Sequence, residues 1–190
     1  KIMKYALRAV ELAQSFSDKD IEKGFTEITV SSKADYTEDG YEITFTVNEG
    51  QQTVISTIKF TGNSTVSANT LKGKISLKEV GLFKKGAFQE AMLEQDSRAI
   101  VAYYKDRGYV DARVLNYTVD SNFNEEKNRR ELTIQFNIQE GNRYTFSGIT
   151  FDGNNVFSSE ELASLVRLKK GAVYNETRYQ ESIMAVRNKY

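Results

Sequence analysis

Residues Ile55–Leu71 (ISTIKFTGNSTVSANTL) and Phe146–Leu162 (FSGITFDGNNVFSSEEL) are one segment written twice. With Glu49-Gly50 laid over Glu140-Gly141, Ile58 falls on Ile149, Phe60 on Phe151 and Gly62-Asn63 on Gly153-Asn154. Ser67 then meets Ser158, and Leu71 meets Leu162. A fixed offset with matched turn glycines marks tandem structural units. Further along, Leu93, Ser97, Ile100 and Tyr104 fall on one face of a helix, and Tyr179, Ile183, Val186 and Tyr190 repeat that spacing. Both faces follow a Lys-Lys-Gly, at Lys84–Gly86 and Lys169–Gly171. The first copy has a longer connection around Glu79–Phe83, a cheap insertion because loop-closure entropy grows only logarithmically.

The complete copy predicts the order strand, helix, helix, strand, strand. The first strand is expected over Val54–Thr61, closing at the Gly62-Asn63 turn. Ser67 is the expected N-cap of the first helix, with Val66 and Leu71 at the staple positions. Phe157, Ser158 and Leu162 repeat the arrangement, and Glu161 completes a capping box. The second helix is expected over about Gln89–Lys105, with Gly108 closing it in a left-handed conformation and Gly24 doing the same upstream. Tyr109–Val119 and Leu132–Ile138 are the expected strands, with Ser121–Arg130 a polar hairpin loop between them. Leu132, Ile134, Phe136 and Ile138 alternate with polar residues, as do Tyr41, Ile43, Phe45 and Val47 after the Asp39-Gly40 hairpin signal.

These elements predict an α+β fold, each unit a three-stranded sheet with one apolar face covered by two helices. Residues 1–49 are expected to be the back part of one unit, 50–140 a complete unit, and 141–190 the front part of a third. The chain is accordingly expected to be a piece of a longer protein. The units join through Glu49-Gly50 and Glu140-Gly141 with almost no linker, which makes these four residues the expected interdomain hinges of a jointed rod.

Composition narrows the chemistry. Lysine plus arginine equals aspartate plus glutamate at 26 each, so no global field invites nucleic acid. Cysteine and histidine are absent, which removes thiol nucleophiles, imidazole bases and Cys/His zinc sites from this chain. No apolar run approaches the roughly 18 residues that span a bilayer. Asp152-Gly153-Asn154-Asn155 lacks the alternating acids and distal glutamate of a calcium loop, so a tight turn is expected there. Glu160-Glu161 is a carboxylate pair, yet Glu161 already has a capping role. No catalytic residue, metal or cofactor is expected, and the chain is not expected to be an enzyme.

The order of elements, with I-x-F-x-G-N closing the first strand and x-G-[YF] opening the second, resembles the polypeptide-transport-associated (POTRA) repeat of the BamA superfamily. The residues carrying the likeness are Ile58, Phe60, Gly62, Asn63, Leu71, Tyr104, Gly108 and Tyr109, with Ile149, Phe151, Gly153, Asn154, Leu162 and Tyr190 in the next unit. Asp20 departs from it, standing where Tyr104 and Tyr190 lead one to expect an aromatic residue. The resemblance implies a mixed sheet with the second strand of each unit, Thr26–Tyr36 and Tyr109–Val119, at its edge. It further implies that the edge formed by Tyr109, Val110, Asp111, Ala112, Arg113, Val114, Leu115, Asn116 and Tyr117 receives an extended peptide by strand addition. An edge that is simply solvated is the alternative. The implied setting is the periplasmic face of the outer membrane of a Gram-negative-type cell, anchored by a barrel outside this chain. The implied partners are unfolded outer-membrane proteins and accessory assembly lipoproteins. The arm of a related translocase (two-partner secretion or TamA-like), or a docking module of a single-pass membrane protein, is the other reading of the same repeats. Arg107-Gly108-Tyr109 matches in letters a motif of the family's barrel, but its place between helix and strand predicts a structural turn.

Overall fold

A computed structural model describes residues 25, 29–37, 40–48, 50–81 and 86–190. The expectations placed on Asp20, Glu22–Gly24, Thr26–Ile28, Asp39, Glu49, Leu82–Phe83 and Lys84-Lys85 lie outside the described residues. In chain order the elements are β1 (Thr29–Thr37), β2 (Gly40–Asn48), β3 (Gln52–Thr61), α1 (Ala68–Lys72), α2 (Ala91–Lys105), β4 (Arg113–Asn124), β5 (Arg129–Gln139), α3 (Ser159–Ser164) and α4 (Glu176–Lys189). The chain divides into two compact units. One takes the chain up to Lys59, with Leu77–Glu90 and Thr118–Ile134; the other takes Phe60–Ser76, Ala91–Tyr117 and Gln135–Tyr190.

In the first unit, β1 and β2 form an antiparallel hairpin in a register running from Thr29↔Asn48 to Thr37↔Gly40. Gly40 has φ +136°, as the hairpin signal at that position requires. The start of β3 is tied to the connection beyond α1: Val80 N–H donates to the Ile55 carbonyl, and Ile55 N–H donates to the Gly86 carbonyl, both at 2.7 Å. The Ile58 N–H donates to Glu79 Oε1 at 2.7 Å.

β3, β5 and β4 make the three-stranded sheet, in that order. Ser56 Oγ bonds the Leu132 carbonyl and Thr61 Oγ1 bonds Asn137 Oδ1, both across 76 residues. A constant separation is the mark of parallel neighbours, whereas β5 and β4 run antiparallel across a short turn, so the sheet is mixed. The predicted alternation along β5 is observed: Leu132, Ile134, Phe136 and Ile138 are buried between less buried neighbours.

Ser67 and Ser158 cap their helices as expected. Ser67 Oγ accepts from the Thr70 N–H at 3.2 Å, and Ser158 Oγ accepts from the Glu161 N–H while Glu161 reaches back to the Ser158 N–H. α1 is a bare turn of helix, closed at Gly73. On α2, Leu93, Ile100 and Tyr104 are buried as the spacing requires. So is Asp96, which the apolar pattern passes over; its carboxylate accepts from the Ser76 N–H at 2.6 Å. The next copy substitutes a hydroxyl, since buried Ser182 Oγ accepts from the Arg167 N–H at 2.9 Å.

The repeat therefore holds at its turns and caps. Gly62 and Gly153 share a left-handed φ of +77° and +74°. Asn63 Nδ2 donates to the Val66 carbonyl at 2.8 Å, and Asn154 Nδ2 donates to the Phe157 carbonyl at 2.9 Å. The Asp152–Asn155 segment is the tight turn expected.

Three expectations are corrected. Tyr109, Val110, Asp111 and Ala112 precede the strand rather than open it, because the Schellman closure of α2 continues into a turn in which Ala112 N–H donates to the Tyr109 carbonyl. The Ser121–Arg130 loop is largely strand: β4 runs to Asn124 and β5 resumes at Arg129, leaving Glu125–Asn128 as the turn. Val119 and Phe123 continue the alternation past polar Ser121, and Asn128 accepts the left-handed φ of +47° that the turn needs. Finally, Ile58 lies in β3, but Ile149 lies in no strand. A strand needs a neighbour for its backbone groups, and among the described residues the Thr145–Phe151 stretch has a single isolated bridge, Thr145↔Val173. Its apolar side chains instead line a cleft of about 290 Å³ with Leu168, Tyr179 and Ile183.

Candidate peptide-binding edge

α2 closes in a Schellman motif that aims the chain into β4. Tyr109 N–H donates to the Tyr104 carbonyl and Gly108 N–H to the Lys105 carbonyl, both at 3.2 Å. Gly108 occupies the left-handed C′ position at φ +89°, and Tyr109 packs edge-on against Tyr104 with ring centroids 5.7 Å apart. That closure explains Arg107-Gly108-Tyr109 as a turn. Ala112 is buried, and Arg113 then begins the strand.

Of the nine residues expected at the edge, Arg113, Val114, Leu115, Asn116 and Tyr117 lie in β4. β4 has β5 as its neighbour on one side and no strand on the other among the described residues. Asn116 pairs with Asn137, and Arg113 Nε donates to Gln139 Oε1 at 2.8 Å. Tyr117 turns toward the buried side, edge-on to Phe136, and its hydroxyl lies 3.5 Å from Glu94 Oε1 on α2. Leu115 is 55% exposed.

Between α2 and the start of β4 runs a groove of about 410 Å³. Its apolar floor is half-buried Val101 and Val114 with exposed Ala102, and Arg98, Lys105 and Glu176 line it as well. No motif in the sequence announced this groove, because its walls come from segments that the repeat pattern assigns to separate elements and, for Glu176, to the following repeat.

Glu140, one of the expected hinge residues, is buried at 8% exposure. Its carboxylate accepts from Ser64 Oγ at 2.5 Å, from the Thr65 N–H at 2.9 Å, from Thr65 Oγ1 at 2.8 Å and from the Tyr104 hydroxyl at 2.7 Å. Burial by itself would raise its pKa. The hydrogen bonds from Ser64, Thr65 and Tyr104 outweigh that and hold it at about 2. The Tyr104 phenol is pushed the other way, by burial first, then by its hydrogen bond to Glu140 and by that carboxylate's charge. Gly141 follows at φ +72°, with Asp111 so close that a Cβ there would sit 2.8 Å from the Asp111 Cβ. Gly50, at φ +64°, occupies the corresponding place between β2 and β3.

Beyond Gly141 the next repeat is bonded to the end of α2. Tyr144 N–H donates to the Gly108 carbonyl at 2.8 Å, and Arg143 Nε donates to the Arg107 carbonyl at 3.1 Å. The Tyr144 hydroxyl donates to Asp111 Oδ2 at 2.8 Å. Asp106 Oδ1 accepts from the Thr177 N–H at 2.8 Å, Asp106 Oδ2 from Thr177 Oγ1 at 3.0 Å, and the Asp106 carbonyl from Asn175 Nδ2 at 2.8 Å. Asp106 thereby joins Asn175, the N-cap of α4, in satisfying the first turn of that helix.

Among the described residues no group of acids could hold a metal ion, and no helix is long and apolar enough to cross a membrane. A family model described as "POTRA: Surface antigen variable number repeat" matches residues 53–141 and 144–190. The chain is 34% identical over 170 residues to a "Putative outer membrane protein assembly factor" of Treponema pallidum (strain Nichols), covering 90% of this chain and 20% of that protein. It is 28% identical over 153 residues to "Outer membrane protein assembly factor BamA" of Neisseria meningitidis serogroup B, covering 78% of this chain and 19% of that protein. The chain thus spans about a fifth of the length of these relatives. In fold it is similar to a crystal structure of Haemophilus influenzae BamA POTRA3-5, with a TM-score of 0.51 and 22% identity over 93% of this chain and 67% of that one.

Proposed function

The chain belongs to the POTRA family of the BamA superfamily, and from that premise we propose that it is part of the periplasmic arm of a BamA-like outer-membrane protein insertase. In this reading it is a non-enzymatic scaffold. It receives nascent outer-membrane β-barrel proteins, and docks accessory assembly lipoproteins, by strand addition and loop contacts. The repeats are bounded at 49/50 and 140/141, with Gly50 and Gly141 setting the angle at each joint.

The observation that carries the reading is the β4 edge with an apolar-floored groove beside it. Backbone groups along an unpaired edge accept a strand of almost any sequence, and the groove offers a seat for its side chains. That combination suits a module that handles many different unfolded chains. Affinity is expected to be on the order of micromolar or poorer, since a disordered ligand must be ordered on binding.

The test is an NMR titration of the labelled chain with an extended peptide copied from an outer-membrane β-strand. Shifts should concentrate on Arg113–Tyr117 and on Val101-Ala102. Val114→Pro or Leu115→Pro, whichever removes an outward N–H, should abolish binding with the fold intact by circular dichroism, whereas Arg113→Gln should matter less. Shifts confined to the Glu125–Asn128 turn, or unchanged binding by both folded proline variants, would refute the assignment of β4 as the receiving edge.

A further inference from the structure

We propose that the groove between α2 and β4 selects extended segments in which an apolar side chain stands two residues from a carboxylate; this rests on the strand-addition reading and specifies its ligand. The floor of Val101, Ala102 and Val114 is apolar, and the charge around it is mostly of one sign. Arg98 and Lys105 bracket that floor along α2, seven residues apart and therefore separated by about 10 Å along the axis. Neither makes an ion pair among the described residues. Arg113, the third cation of the groove, is held at Nε by Gln139.

The single acid on the lining, Glu176, is already engaged at both oxygens. Oε2 accepts from the Tyr174 hydroxyl and Oε1 from Gln180 Nε2, each at 2.8 Å. Glu176 stands beside Asp106 and Thr177 at the Lys105 end of α2, so the field there is partly cancelled and the Arg98 end is the more attractive to an anion. Glu94, one turn before Arg98, has its Oε1 beside the Tyr117 hydroxyl.

Side chains on one face of a strand recur about every 6.5–7 Å. A strand added to β4 with an apolar residue on the Val101–Val114 floor therefore carries its next same-face side chain toward Arg98. A carboxylate there meets a guanidinium that has no ion pair among the described residues, while a lysine meets repulsion from Arg98 and Lys105 alike. The groove reads alternation and charge together, which backbone pairing alone cannot do.

The probes are two capped nine-residue peptides of alternating threonine and valine with a central leucine. One carries glutamate two positions to either side of the leucine, and the other carries lysine there. Titrated into the full chain at low salt, the glutamate peptide should bind about five- to tenfold more tightly, two surface-pair contributions of opposite sign being compared. The ratio should fall toward one at about 0.5 M salt. Arg98→Gln should reduce it at low salt, and Arg130→Gln, on β5 beside the hairpin turn, should leave it unchanged. Equal affinities with shifts on Arg113–Tyr117 would overturn the charge selectivity while leaving strand addition in place. No shift on those residues with either peptide would overturn both.

Discussion

Replacing Glu140 by glutamine should remove most of the acid sensitivity that this one residue contributes to stability. The carboxyl group sits at about 2 in the folded protein against 4.5 when free. At 1.36 kcal/mol per pH unit that difference is worth about 3 kcal/mol. Because the folded value is the depressed one, the contribution is fully present above about pH 4.5 and is lost as the pH falls through 2. The side chain is only 8% exposed, so solvent screening removes little of it. Glutamine keeps the shape but turns an NH2 toward donors at Ser64, Thr65 or Tyr104, at a cost of about 1–3 kcal/mol near neutrality. The measurement is urea unfolding at pH 6, 4 and 2 for both proteins, with the Glu140 carboxyl followed directly by carbon NMR. The wild type should lose about 3 kcal/mol more than the variant between pH 6 and pH 2, other carboxylates being common to both. Parallel losses, or a carboxyl that titrates near 4.5, would refute the reasoning.

Ile100→Ala should cost about 2–4 kcal/mol in urea unfolding, since the side chain is fully buried on α2; a loss under about 0.5 kcal/mol would mean that this face is solvated. Gly108→Ala should cost about 1–3 kcal/mol, because an L-residue at φ +89° is strained and its Cβ would lie 2.7 Å from the Tyr144 carbonyl oxygen. An unchanged melting temperature for that variant would contradict the packing at the end of α2.

The elements that could be read from the chain are those set by neighbours in sequence. The Ser67 and Ser158 caps, the Gly62 and Gly153 turns and the Schellman closure at Gly108 each involve residues within five of one another. Tyr109–Ala112 misled because its composition suits a strand, while its conformation is governed by the closure of the preceding helix. Ile149 copies Ile58 in sequence but has no strand beside it among the described residues, and strand structure is a property of pairs rather than of segments. Glu140 was singled out in the sequence by its Glu-Gly pair, as an expected hinge residue. Its role as a buried acceptor was not, because Ser64, Thr65 and Tyr104 meet it only after folding. The groove was invisible for the same reason: Arg98, Val114 and Glu176 share no local pattern. Asp96 and Ser182 show how a conserved geometry can hide behind different letters, one a carboxylate and one a hydroxyl in the same place.

The bond from Asp106 to the first turn of α4 has a consequence for protein engineering. A repeat cut at its sequence boundary leaves behind the carboxylate that satisfies Thr177, and water would have to take its place. A chimera joined at Gly141 would install α4 with a backbone donor and a hydroxyl that its new neighbour need not answer. One joined upstream of α2 would carry helix, turn and recipient together. In this chain the contacts that finish α4 reach back across Gly141, like a brick wall whose courses overlap rather than stack.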